Sequence, residues 1–199
     1  MPSHRSTMET PQTKICLIGG TFDPIHLGHT YIALQAKLSL SLDKVIFLPC
    51  RQSPHKLDIE TASDAHRLKM CKLATAELPW AEVSDYDLTA PTLSYSWRTA
   101  EHFKALYPDA ELFWLMGTDQ WNALPRWNRA EHFAQLLQII VFHRTEPLLS
   151  LDGFQSLPLS GQHPASATAV RNDAQKNRPM RWLHPKVANY IKENKLYTK

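Results

Sequence analysis

Residues 19–29 read GGTFDPIHLGH, which sets two adjacent glycines, an Asp-Pro step and two histidines three apart within eleven positions. An imidazole donates a hydrogen bond when neutral and adds charge when protonated, so His26 and His29 suit a group of phosphates. Gly19 and Gly20 lack a Cβ, which predicts a sharp backbone turn and close approach of an anion to N–H groups. Thr21 and Phe22 are expected to act through their backbone N–H groups, and Gly28 to let the following helix start lie close to the ligand. Metal ligation and a structural role are the competing readings of the histidine pair. Asp23, before a proline, reads first as a turn former or N-cap.

A second cluster lies near the other end of the chain. Ser166-Ala167-Thr168-Ala169-Val170-Arg171 puts two hydroxyls and a guanidinium at a predicted helix start, where capping and the helix dipole favour an anion. Arg171 is able to grip phosphate with two donors. His55 and Lys56, in the Ser53-Pro54-His55-Lys56 segment, add candidate phosphate contacts; a solvated loop lysine is the plain alternative. Gly117 and Asp119 follow an apolar run, and Trp121 and Trp127 follow them. Such indoles stack on a flat ring or pack in a core, and Asp119 is able to accept bonds from ribose hydroxyls.

Alternating elements must position these residues. Apolar runs at 15–18, 44–49, 111–116 and 138–143 read as buried parallel strands, with short strands at 81–84 and 157–159. Helical spacing covers 31–38, with a start expected near Pro24 or Ile25, and then 63–78, 94–107, 168–175 and 185–194. The alternation predicts an α/β fold, a doubly wound parallel sheet with right-handed crossovers and a ligand crevice at the carboxyl ends of its strands. Residues 51–61 read as a polar loop. The span 145–164, with three prolines and two glycines, reads as a mobile surface loop.

Composition bounds the class. A chain of 199 residues with 43% hydrophobic content predicts one domain over 14–199, preceded by a disordered polar tail over 1–13. A net charge of +3, without long like-charge runs, does not argue for nucleic acid. The cysteines Cys16, Cys50 and Cys71 match neither a disulfide framework nor a zinc pattern, and no apolar stretch reaches membrane-spanning length. A cytoplasmic protein is expected, with Cys16 buried in a strand.

The first segment resembles the signature of the nucleotidyltransferase superfamily that carries a His-x-Gly-His motif, and Ser166, Thr168 and Arg171 match its late Ser-x-Thr-x-x-Arg element. Met116-Gly117-Thr118-Asp119 with Leu124-Pro125-Arg126-Trp127 narrows the resemblance to the bacterial nicotinate mononucleotide adenylyltransferases, over about residues 14–197. The resemblance implies a Rossmann-like nucleotidyltransferase fold with C-terminal helices. It further implies adenylyl transfer from ATP, carried with Mg²⁺ on its phosphates, to nicotinate mononucleotide. His26 and His29 would then stabilise the reacting phosphorus, while Tyr95, Ser96, Gly117, Asp119 and Trp127 would receive the mononucleotide. Ser96 stands where threonine is commoner. Two alternatives stay open: a pantetheine-phosphate adenylyltransferase, which needs another acceptor pocket, and a non-catalytic nucleotide-binding regulator.

Overall fold

The computed structural model describes residues 12–51, 61–90, 94–144 and 147–198. Six strands form one sheet: β1 (Lys14–Gly20), β2 (Lys44–Pro49), β3 (Ala81–Val83), β4 (Glu111–Gly117), β5 (Gln138–His143) and β6 (Leu157–Ser160). All pairings are parallel, and the spatial order is β3-β2-β1-β4-β5-β6. The order reverses between β1 and β4, so the carboxyl ends of those two strands flank the crevice where such sheets bind ligands. The glycine-histidine segment leaves β1, and the Gly117–Asp119 segment leaves β4.

Alternation along the strands divides the core in two. Cys16, Ile18, Val45, Phe47, Phe113 and Leu115 face one side, where α1 (Leu27–Leu40), α2 (Asp64–Thr75), α7 (Ala167–Gln175) and α8 (Pro185–Glu193) contribute Ala33, Met70, Val170 and Val187. Ile15, Leu17, Ile46, Leu48, Leu112 and Trp114 face the other, covered by α4 (Ser96–Leu106), α5 (Thr118–Ala123) and α6 (Ala130–Leu136). With both faces covered, the strands need apolar residues at every position, as the sequence runs suggest. A four-residue helix, α3 (Tyr86–Thr89), follows β3, and a 3₁₀ turn, Leu124–Arg126, joins α5 to α6. The three cysteines are buried and free. Among the described residues, no helix is long and apolar enough to cross a membrane.

The helices differ from expectation in two ways. The first helix starts at Leu27 rather than near Pro24, because the Asp23-Pro24 step forms a buried turn and His26 takes the extended N-cap conformation. The short helices α3, α5 and α6 span less than about two turns each, too little for a helical apolar period to show in sequence.

Candidate active site

His26 and His29 lie one helical turn apart and stack, with ring centroids 3.7 Å apart and planes 17° from parallel. The backbone N–H of His26 donates to Nδ1 of His29 at 3.2 Å, so a neutral His29 carries its proton on Nε2. Phe22 meets His29 edge-on at 5.0 Å and fixes the ring from the core side. Burial, helped by the charge of His163, lowers the pKa of His26 to about 4. Burial and then His26 push His29 well below the ordinary imidazole value. In the absence of an anion, therefore, these rings act as neutral donors at neutral pH.

The glycines serve packing more than turning. Gly19 and Gly20 are the last residues of β1, and neither has a positive φ. A Cβ on Gly19 would stand 2.8 Å from the Trp114 indole, and one on Gly20 would stand 3.0 Å from the Phe22 ring. The sharp turn expected at these glycines falls instead at Phe22, whose φ is 49° and whose ring is buried. A Cβ on Gly28 would meet the His26 ring at 3.0 Å and Cβ of Ala165 at 3.2 Å. Gly28 thus brings the late motif against the early one.

The dipole end of α1 is less open than the sequence suggests. Leu27 N–H donates to the Trp182 carbonyl at 2.8 Å, and His29 N–H donates to the His26 carbonyl at 2.9 Å. With His26 N–H also engaged, those three amides are already paired, and the imidazoles rather than the amides are the donors left for an anion.

Arg171 joins the two motifs. Its Nη1 donates to the Asp23 carbonyl at 2.6 Å and its Nη2 to Oγ1 of Thr168 at 3.3 Å. Asp23 reads as structural: its Oδ1 accepts from Ala62 N–H at 3.0 Å and from the Tyr197 hydroxyl at 2.6 Å. Ser166 is the N-cap of α7 but makes no capping side-chain bond, which leaves Ser166 and Thr168 exposed at a helix start on the His26 side of the crevice. His55 and Lys56 lie outside the described residues.

A buried cation steadies the early loop. Arg67, fully inaccessible, donates from Nη1 to the Thr21 carbonyl at 2.7 Å, from Nε to Ala62 O at 3.1 Å and from Nη2 to Arg51 O at 3.3 Å; Nη2 also pairs with Asp64. Sequence reading overlooked it, although a cation three, four and seven residues before Met70, Cys71 and Ala74 sits on the apolar stripe of α2. Tyr197 gave no comparable signal.

On the far side of the crevice, Tyr95 is the N-cap of α4 and Ser96 its first residue; both are half-buried. Beneath them, burial raises Asp87 to about 6, opposed by the hydroxyl of Thr99, which donates to its Oδ1 at 2.6 Å, and by Arg98. Ser94 Oγ donates to the Asp87 carbonyl at 3.3 Å and ties this turn to α3. Trp97 Nε1 donates to Asn128 Oδ1 at 3.0 Å, and Arg129 lies 4.5 Å over the Trp97 ring. That bridge brings the 95–96 turn to Trp127, which is half-buried and 5.7 Å from the Phe133 ring. Trp127 also lines an open cavity of about 610 Å³ with Pro125, Arg129, Asp152 and Phe154. Trp121, in contrast, is core: 1% exposed, with Nε1 donating to the Leu149 carbonyl at 2.8 Å. Asp119 is exposed in the first turn of α5, and the space beside Gly117 is open.

A parallel sheet in 3-2-1-4-5-6 order, with imidazoles and a guanidinium gathered beyond β1, defines a nucleotide-handling α/β protein of the Rossmann type. Residues 17–173 match the cytidylyltransferase-like family, and the chain belongs to it. It is 39% identical over 192 residues to a probable nicotinate-nucleotide adenylyltransferase of Methylacidiphilum infernorum, covering 95% of this chain and 94% of the relative. A probable nicotinate-nucleotide adenylyltransferase of Neisseria meningitidis is 36% identical over 200 residues, 94% of this chain and 99% of that one. The fold is also that of Plasmodium falciparum nicotinic acid mononucleotide adenylyltransferase complexed with NaAD, with a TM-score of 0.75 at 18% identity, over 94% of this chain and 98% of that one.

Proposed function

We propose that this protein transfers the adenylyl group of ATP to nicotinate mononucleotide, releasing pyrophosphate and forming the deamido dinucleotide. The observation that carries this reading is the bond from Arg171 to the Asp23 carbonyl, which joins the late phosphate motif to the loop of His26 and His29. The relatives that share over a third of their residues with this chain across nearly its whole length support the choice of acceptor.

The acceptor's 5′-phosphate attacks the α-phosphorus in line, and the bond to the β-phosphate's bridging oxygen breaks. Both reactants are anions, so the protein acts mainly through positioning and charge stabilisation. Nε2–H of His29 donates to the α-phosphate as negative charge grows there, and Arg171 with Ser166 and Thr168 holds the departing pyrophosphate. Trp127 stacks on the pyridine ring, and Tyr95 and Ser96 fix the mononucleotide at the start of α4.

Mg²⁺ fits this site as an ion carried by the nucleotide. Among the described residues, no group of three or more His, Cys, Asp or Glu is arranged to hold a metal, and the Asp23 carboxylate is engaged by Ala62 and Tyr197. Oxygens of the nucleotide phosphates and water would be its ligands, and the ion would offset phosphate charge.

Pyrophosphate release from ATP and Mg²⁺ should be compared with nicotinate mononucleotide, nicotinamide mononucleotide and phosphopantetheine as acceptors. The first should give the highest kcat/KM. Preference for phosphopantetheine, or ATP binding with no release for any acceptor, would overturn the assignment.

A further inference from the structure

A third imidazole stands over the first turn of α1. His163 lies two residues before Ala165, whose Cβ packs 3.2 Å from the position a Gly28 Cβ would occupy. Its ring lies 5.3 Å from that of Tyr31, one turn along α1 from Leu27, and 5.4 Å from the exposed indole of Trp182, whose carbonyl caps Leu27. Helix α1, the segment before α8 and the entry to α7 therefore all converge on His163.

The orientation of the ring is set by a bond. Ala165 N–H donates to Nδ1 of His163 at 3.1 Å, so a neutral ring must carry its proton on Nε2, the atom directed away from the late motif's backbone. His163 also acts on His26 through space, where its charge disfavours protonation. The His26 ring and the His163–Ala165 turn both lie against Gly28, where the early and late motifs meet, so the two imidazoles are available to one polyanion.

We propose that His163 is a further binding residue of the phosphate site, whose Nε2–H donates to oxygens of the ATP triphosphate beside His26 and the start of α7. This rests on the nucleotide reading above and adds a contact to it. Neither early nor late motif contains this residue, so motif matching passes over it. A purely structural ring would need only its tilted contact with Tyr31, its edge-to-face contact with Trp182 and its acceptor for Ala165.

Two substitutions separate these roles. In His163→Asn the side-chain carbonyl still accepts from Ala165 but nothing replaces Nε2; His163→Phe keeps the ring contacts with Tyr31 and Trp182 and removes both nitrogens. Equilibrium binding of ATP with Mg²⁺, of pyrophosphate and of adenosine to the full chain should be measured by calorimetry. Loss of one hydrogen bond to a charged group should weaken ATP and pyrophosphate about tenfold in both variants, leaving adenosine unchanged. Wild-type affinity for ATP in either folded variant, or an equal loss for adenosine, overturns the proposal. Because these are binding measurements, an enzyme that binds ATP and releases no pyrophosphate would sink the proposed reaction while leaving His163 testable.

Discussion

Arg171 Nη1 donates to the backbone carbonyl of Asp23 at 2.6 Å across 148 positions of sequence, while Nη2 of the same fork holds Thr168. A lysine carries the charge but cannot span two acceptors in one plane. Arg171→Lys is therefore expected to lower kcat/KM for ATP by about 10²-fold, nearly as far as Arg171→Ala, the range found for loss of one transition-state donor. Steady-state pyrophosphate release checks this, and a lysine variant within a fewfold of wild type would contradict it.

His29→Ala removes the Nε2 donor that the His26 amide orients. Turnover should fall at least about 10²-fold, while nicotinate mononucleotide binds with unchanged affinity, because the imidazole acts where charge develops. Single-turnover rates set beside equilibrium binding separate the two effects. Equal losses in both would assign His29 to ground-state binding.

The lowered imidazoles also bear on stability. An unfolded His26 binds its proton near 6.5 and the folded one near 4, so between those values the unfolded state holds more protons. Stability then rises with pH through that window and is lost as pH falls through it. His29 works in the same direction. Asp87, raised to about 6 from 3.8, has the opposite sign: its contribution is present at low pH and is lost as pH rises through about 6. Urea unfolding of His26→Asn/His29→Asn between pH 4.5 and 7 should show a smaller rise in stability with pH than wild type. An unchanged slope would mean that the rings titrate normally in the folded state.

Much of this arrangement is legible in sequence, for identifiable reasons. Strands covered on both faces appear as unbroken apolar runs, so β1, β2, β4 and β5 stand out. The strand order does not, because it depends on which helices cover which face. The histidines are visible because their spacing is local. The reason for Gly19 is not, since the demand comes from Trp114, ninety-five positions on and paired with β1 through β4. Arg67 escapes notice for a related reason: apart from Asp64, its partners are backbone carbonyls, which leave no mark in residue type.

That packing demand is itself testable. In Gly19→Ala the new methyl would stand 2.8 Å from the ring of Trp114, a residue 3% exposed in the core. Overpacking of this kind typically costs about 1–3 kcal/mol. Gly19→Ala should lower the urea midpoint accordingly, and adding Trp114→Phe, which removes the offending benzo ring, should restore part of the loss. If the single variant is as stable as wild type and only ATP binding suffers, Gly19 serves the ligand and not the sheet.

The two tryptophans after β4 differ in role despite being six residues apart. Trp121 is buried and its Nε1 holds the Leu149 carbonyl, so Trp121→Phe leaves that acceptor unpaired and should cost about 1–3 kcal/mol of stability. Trp127 is half-buried on Phe133, next to Asn128 and Arg129, which bind Trp97. Trp127→Ala should raise KM for nicotinate mononucleotide about tenfold or more while leaving KM for ATP and the unfolding midpoint near wild type, as expected for a lost stacking face. Trp127→Phe, which keeps a flat face, should recover most of that affinity. Paired stability and KM measurements on the three variants decide the assignment. Loss of stability without a change in acceptor KM in Trp127→Ala would return this residue to the core and leave the acceptor without its proposed aromatic wall.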